Sequence, residues 1–394
     1  MAGGFSASRL AQVRALLDRH VDSGFVPGAV AVLARHGDVH VEAIGTLAFE
    51  GAGAGTPMAT DTICRLSSMT KPLVSACAMT LVEDGTLRLD DPVADLLPEL
   101  ADMRVLADPA GPLADTIPAA RPITLRDLLT YTLGTGMVMD DTAPVADAIG
   151  TLFRAVPPDE WIGRFGGVPL VHQPGERWMY EIAANVTVVL VGRATGKTFG
   201  EVLRERICEP LGMKDTGFSV AAGDLGRLAT AYGRDDDETG RPPVEDGPDG
   251  RWSRPPVFES GGGGLVSTAD DYLAFASALL AGGTHRGERV LSRPAVTLMT
   301  SDQLTPEQKA VSGFWPGYFD SMGWGFGMSV RTRRTGLGPS VGTYGWSGFY
   351  GTAWYNDPAE DLTSIVLLQR AHMGDQTLPM WHDIWTAVYQ ALDD

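Results

Sequence analysis

Apolar residues recur at helical spacing from Leu73 to Leu81, and the run stops at Asp84-Gly85. This pattern predicts a buried helix, which needs a core around it. The chain has 394 residues, 44% of them apolar, enough for one large domain or two intimately packed ones. Pro72 fixes where the helix begins, because proline is tolerated in the first helical turn, where its missing N–H and fixed φ do no harm. Ser68 therefore lies at the helix mouth, with a backbone N–H not consumed by the helical ladder. That N–H, with the helix dipole behind it, points where an oxyanion is stabilised.

The same entrance reads Ser68-Met69-Thr70-Lys71, and residues three apart lie on one helix face, so hydroxyl and amine can meet. A serine hydroxyl is a weak nucleophile near neutral pH and must pass its proton to a neighbouring base. Lys71 can serve only if burial or nearby groups lower its pKa. Ser67 has the wrong spacing to Lys71 and is read as a cap or core hydroxyl. A four-residue pattern with two fixed positions is weak evidence by itself.

Upstream, Val30 to Ala34 and Val39 to Ala43 flank Arg35-His36-Gly37-Asp38 and predict a β-hairpin. His36 and His40 sit at the turn as surface residues; the metal reading is the weaker one. Leu96 to Arg121, rich in Pro, Ala and Asp, predicts an excursion leading into a helical segment at Ile123 to Gly136. A second helix-rich stretch runs from Asn185 to Leu211. Gly233 to Pro256 is polar and full of turn residues and predicts a long loop; its cluster Asp235 to Glu238 reads as solvated charge rather than a cation site. Gly261 to Gly264 then leads to a capped helix. GWGFGMSV, GTYGWSGFYGTAWYNDP and LTSIVLLQR predict strands of one antiparallel sheet, closed by a helix from Met380 to Leu392. Strands at both ends with a helical middle imply an α+β fold. The expected division is a sheet domain from residues 1–95 and 255–394, with a mainly helical domain at 96–254.

Thirty-one Lys and Arg face 49 Asp and Glu, a formal net charge of -18, so phosphate-rich partners are repelled. Nucleic acid and anionic membrane surfaces are poor candidates as partners on this ground, and neither is expected. The N-terminal residues read as an amphipathic helix rather than an export signal, no apolar run suits a membrane span, and a cytoplasmic protein is expected. Cys64, Cys77 and Cys208 lack CxxC spacing and read as reduced core residues. No cofactor and no metal are expected, and neither a G-x-S-x-G elbow nor HExxH, P-loop or dinucleotide fingerprints occur.

Several further motifs accompany Ser68-x-x-Lys71: Leu87-Arg88-Leu89-Asp90-Asp91-Pro92-Val93, Ile123-Thr124-Leu125-Arg126-Asp127-Leu128-Leu129-Thr130, Pro210-Leu211-Gly212-Met213 and the Gly261 to Asp271 turn. Together they resemble the serine β-lactamase and penicillin-binding-protein superfamily, in particular the class C β-lactamase-like carboxylesterases called family VIII esterases. The resemblance spans nearly the whole chain and implies a β-lactamase-like fold.

It also implies a tyrosine after a Pro-Gly turn, supplied by Pro174-Gly175-Glu176-Arg177-Trp178-Met179-Tyr180. Tyr180 and Lys71 would share one proton and relay it between Ser68 and the leaving group. Where the family carries Tyr-x-Asn this chain carries Ile182, and where β-lactamases carry Lys-Thr-Gly it carries Trp346-Ser347-Gly348-Phe349. Losing that lysine removes an anchor for a substrate carboxylate and leaves an apolar wall suited to neutral esters. By resemblance, the N–H groups of Ser68 and Phe349 form the oxyanion hole, Gly348 lets the strand approach, and Tyr131 lines the pocket. The alternative for each aromatic is simple core packing. The expected activity is hydrolysis of a small-molecule ester through an acyl-enzyme on Ser68. Acyl transfer, then β-lactamase or amidase chemistry, are the alternatives, and a non-catalytic relative is disfavoured because Ser, Lys and Tyr are all retained.

Overall fold

The two ends of the chain meet in one sheet. In the computed structural model, which describes residues 2–138, 143–234, 242–371 and 377–393, seven strands form β1 (Gly28–Arg35), β2 (Asp38–Gly45), β3 (Met322–Trp324), β4 (Ser329–Arg331), β5 (Tyr344–Ser347), β6 (Ala353–Asp357) and β7 (Leu362–Leu367). Their spatial order is β3-β4-β5-β6-β7-β1-β2, antiparallel throughout. N- and C-terminal segments join where Val30 faces Leu367 and Arg35 faces Leu362.

Period two explains why β1 is apolar along its length. Ala29, Ala31 and Leu33 pack with the terminal helices α1 (Ala7–Asp22) and α6 (Thr377–Gln390), whereas Val30 and Val32 face the main core. Both faces of the strand are covered. The predicted hairpin is thus β1 and β2, with His36 in the turn paired to Asp361 and His40 paired to Glu42. Among the described residues no group of three or more His, Cys, Asp or Glu could hold a metal.

The predicted buried helix is α2 (Thr70–Glu83), in which every residue from Thr70 to Leu81 is buried. It packs against α4 (Ile182–Thr195), which in turn contacts α3 (Leu125–Thr130). One hydrophobic cluster runs from β1 through these central helices to β7, crossing both expected domain boundaries. The helix α5 (Ala269–Leu280) starts at Thr268, whose hydroxyl accepts from the Asp271 N–H, as the sequence leads one to expect.

Two loop expectations change. The excursion before α3 contains a short hairpin, Arg104–Leu106 with Thr116–Pro118. The interval 233–256 is partly ordered by pairing of Val244–Asp246 with Ala231–Tyr232. The reason is Asp246, whose buried carboxylate meets the fully buried Arg65 guanidinium, Nε to Oδ1 at 3.0 Å. A buried ion pair pins a segment whose composition looks solvated. The cluster Asp235 to Glu238 lies outside the described residues. All three cysteines are buried and free. Among the described residues no helix is long and apolar enough to cross a membrane.

Candidate active site

Ser67 adopts φ 48, a left-handed conformation unusual for a residue with a Cβ. That turn sets Ser68 on a single 3-10 turn, Ser67–Met69, which runs straight into α2. Ser68 is partly exposed while its neighbours are buried. The turn is held from behind: Leu66 N–H donates to the Leu265 carbonyl at 2.9 Å, and Cys64–Arg65 pairs with Val266–Ser267.

Lys71, 0% exposed, donates from Nζ to Ser68 Oγ at 2.9 Å and to the Gly262 carbonyl. Its charge is balanced by Glu181, whose Oε2 lies 2.7 Å from Nζ. Burial opposes the ammonium, but the Glu181 carboxylate and then Tyr180 outweigh it and hold the Lys71 pKa above its ordinary value. The sequence required Lys71 to be depressed if it were to act as a free base. Glu181 reverses that expectation.

Tyr180 is 8% exposed, with Lys71 Nζ 4.5 Å from its ring centroid. Its segment is fastened to the end of α3. Gly175, at φ 85 in the Pro-Gly turn, donates to the Thr132 carbonyl at 2.7 Å, and Met179 N–H donates to the Tyr131 carbonyl at 2.8 Å. Tyr131 closes α3 in a left-handed conformation, is 2% exposed, and packs its ring 6.0 Å from Tyr180. Its buried hydroxyl has no partner among the described residues. Tyr131 thus meets the site through its carbonyl and ring packing rather than as an open pocket wall.

Trp346 also differs from the expected apolar wall. Its indole N–H donates to the Tyr180 hydroxyl at 2.7 Å. Burial first, with Glu181 adding, pushes the Tyr180 phenol above its ordinary pKa; Lys71, then the nearby Ser68 hydroxyl and the Trp346 hydrogen bond, pull the other way. The phenol is therefore protonated at neutral pH, with donors already placed for its anion.

Gly348 permits the close approach that the sequence suggested. A Cβ there would overlap the Leu66 carbonyl and Thr352 Oγ1 and lie 3.1 Å from Ser67 Cβ. The end of β5 therefore lies directly on the Ser67–Met69 turn. Gly348 N–H donates to Thr352 and Met69 N–H to Leu66, but among the described residues no acceptor is found for the N–H of Ser68 or of Phe349. Phe349 is 36% exposed.

Three participants escaped the sequence reading. Glu181 is one, held at φ 95, ψ -65, close to the strained form of the γ-turn, a conformation costing about 1–3 kcal/mol. Asn185 is another: its Oδ1 accepts from Gly262 N–H at 3.2 Å and from Ser260 Oγ at 3.1 Å, orienting the glycine whose carbonyl meets Lys71. Gly262 itself is the third, since a Cβ would overlap Glu181 Oε1. Ile182, 0% exposed, begins α4 in the core. A carboxylate next to the tyrosine was visible in sequence, but only folding brings it to Lys71.

Comparison with known proteins places the fold. The Beta-lactamase family model matches residues 13–388. Protein Rv1367c of Mycobacterium tuberculosis is 42% identical over 354 residues, covering 88% of this chain and 87% of that protein. Esterase EstB of Burkholderia gladioli is 32% identical over 393 residues, covering 94% and 92%. The solved structure of "EstCE1, a hydrolase with promiscuous acyltransferase activity" superposes with TM-score 0.79 at 25% identity, covering 97% of this chain and 98% of that one. With a family model matching nearly its whole length and an esterase among its relatives, this chain belongs to the Beta-lactamase family.

Proposed function

We propose that the protein hydrolyses small neutral carboxylic esters through an acyl-enzyme on Ser68. The observation that carries this is the convergence of Lys71 Nζ, 2.9 Å from Ser68 Oγ and 4.5 Å from the Tyr180 ring centroid, with a buried Tyr180 phenol that accepts from the Trp346 indole. Once the Lys71/Tyr180 pair has given up one proton to solvent, Ser68 Oγ attacks the ester carbonyl as its own proton passes to the pair, and the N–H groups of Ser68 and Phe349 receive the oxyanion. The pair returns the proton to the departing alkoxide; water then gives a proton to the pair and attacks the acyl carbon, and the pair passes that proton to Ser68 Oγ as the acyl–serine bond breaks and the acid leaves.

Neutral substrates are favoured because the Lys71 ammonium is committed to Glu181 and offers no charge to a substrate carboxylate. Aromatic surface supports the same reading: Phe314 packs edge-on to Tyr180 at 5.2 Å, and Trp315 beside it is 54% exposed. The named activities of EstB and EstCE1 are consistent with it. Acyl transfer uses the same intermediate and is the second reading, favoured by the EstCE1 likeness.

The test is mass spectrometry after a fluorophosphonate, together with p-nitrophenyl ester turnover. A single adduct on Ser68 and loss of turnover in Ser68→Ala are expected. An adduct elsewhere, or full activity in Ser68→Ala, would sink the proposal. Adding an alcohol and measuring ester against acid product separates transfer from hydrolysis, and nitrocefin tests for lactam cleavage.

A further inference from the structure

Glu181 stands out as a carboxylate built into the site at a conformational cost. It follows Tyr180 directly, holds a positive φ despite its Cβ, and places Oε2 2.7 Å from the buried Lys71 ammonium. Its side chain is 17% exposed, and the space for its other oxygen exists only because residue 262 is glycine. A residue that merely filled a turn would be glycine here, since glycine reaches this conformation without strain. A carboxylate held there in contact with Lys71 points instead to a task.

We propose that Glu181 is a positioning residue: its carboxylate fixes Lys71 as an ammonium against the Tyr180 ring, so that Tyr180 is left to take the Ser68 proton and the enzyme works best on the alkaline side. The inference rests on the function proposed above. Lys71 faces Glu181, Tyr180, Ser68 Oγ and the Gly262 carbonyl. Tyr180 faces Lys71, Glu181, Ser68 and Trp346, and interacts with the more distant phenols Tyr131, Tyr318 and Tyr355, the last two also within the field of Arg331. Burial pushes those three phenols up as well, so they stay neutral. Glu181 raises both Lys71 and Tyr180. With the carboxylate present, removing one proton from the pair leaves a buried net negative charge; without it, the same loss leaves the site neutral. The sign follows: deleting the carboxylate lets the pair lose its proton at lower pH.

The experiment measures kcat/KM for a p-nitrophenyl ester and the rate of Ser68 phosphonylation from about pH 6 to about pH 10. Wild type, Glu181→Gln, Glu181→Gly and Glu181→Asp are compared. The rising limb should move to lower pH by about one unit or more, a tenfold change in proton concentration, in both Glu181→Gln and Glu181→Gly. Glu181→Asp should restore the wild-type position at least in part. Glu181→Gly relieves the strained φ and keeps the fold testable if Glu181→Gln does not. An unmoved limb in the variants, with or without loss of activity, overturns the inference, as does failure of both to fold, which would make Glu181 a structural residue. If the wild-type adduct is not on Ser68, the site reading itself fails. An adduct on Ser68 with an unmoved limb rejects the role of Glu181 alone.

Discussion

Replacing Trp346 by Phe removes one hydrogen bond and little else. The indole N–H reaches the Tyr180 oxygen at 2.7 Å, while the ring packs edge-on to Trp324 at 4.7 Å and lies 5.7 Å from Tyr180, contacts that a phenyl ring largely keeps. A bond to the neutral phenol contributes about 0.5–1.5 kcal/mol and one to the phenolate about 1.5–3 kcal/mol. Only the difference, about 1–1.5 kcal/mol, bears on the reaction, because it sets how readily the resting phenol yields the phenolate that takes the Ser68 proton. Below the rising limb of the pH profile, Trp346→Phe should therefore lower kcat/KM about tenfold. The Trp346 bond favours the ionised phenol, so its loss raises the Tyr180 pKa, and the rising limb of the pH profile should move to higher pH. That is the opposite direction from the Glu181 variants. The assay is p-nitrophenyl ester turnover across pH, with a melting curve to establish that the variant is folded. A folded Trp346→Phe enzyme with kcat/KM within about twofold of wild type and an unmoved limb would refute the reasoning and reduce Trp346 to a packing residue.

Other perturbations test the supporting structure. Gly348→Ala pushes a Cβ into the Leu66 carbonyl and Thr352 Oγ1 and should cost about 1–3 kcal/mol by denaturant unfolding, along with most of the ester turnover. Unchanged turnover would show that β5 need not lie so close to Ser68. Asp246→Ala strands the buried Arg65 guanidinium, whose partner side chain is only 3% exposed, and should destabilise by about 3–5 kcal/mol in a urea titration; a loss below about 1 kcal/mol would argue that the pair is dispensable. Burial pushes the Cys64 and Cys208 thiols up to about 12 and raises Cys77 as well. A thiol reagent at mildly alkaline pH should leave the folded protein unmodified and titrate all three cysteines after unfolding. Rapid modification of native protein would contradict that burial.

Much of this molecule is written locally in its sequence. The apolar run Leu73 to Leu81 and the proline ahead of it define α2 and put Ser68 at its mouth, because helical periodicity and the proline ring act over a single turn. The alternation in β1 and β2, and the short aromatic and β-branched runs near the C-terminus, define strands for the same short-range reason. What the sequence could not state is how charges far apart along the chain meet. Lys71 looked like an amine to be depressed by burial, yet Glu181, 110 positions away by residue number, keeps it charged. Trp346 looked like a wall, yet its one polar atom faces Tyr180. The segment around Asp246 looked like open loop, yet it closes over Arg65. Backbone conformation follows from neighbouring residues, but the ionisation of a buried group depends on the whole surrounding field, and only the folded chain brings that field together. The sequence determined the Ser68-Met69-Thr70-Lys71 entrance to α2; tertiary structure decided which proton each of its partners holds.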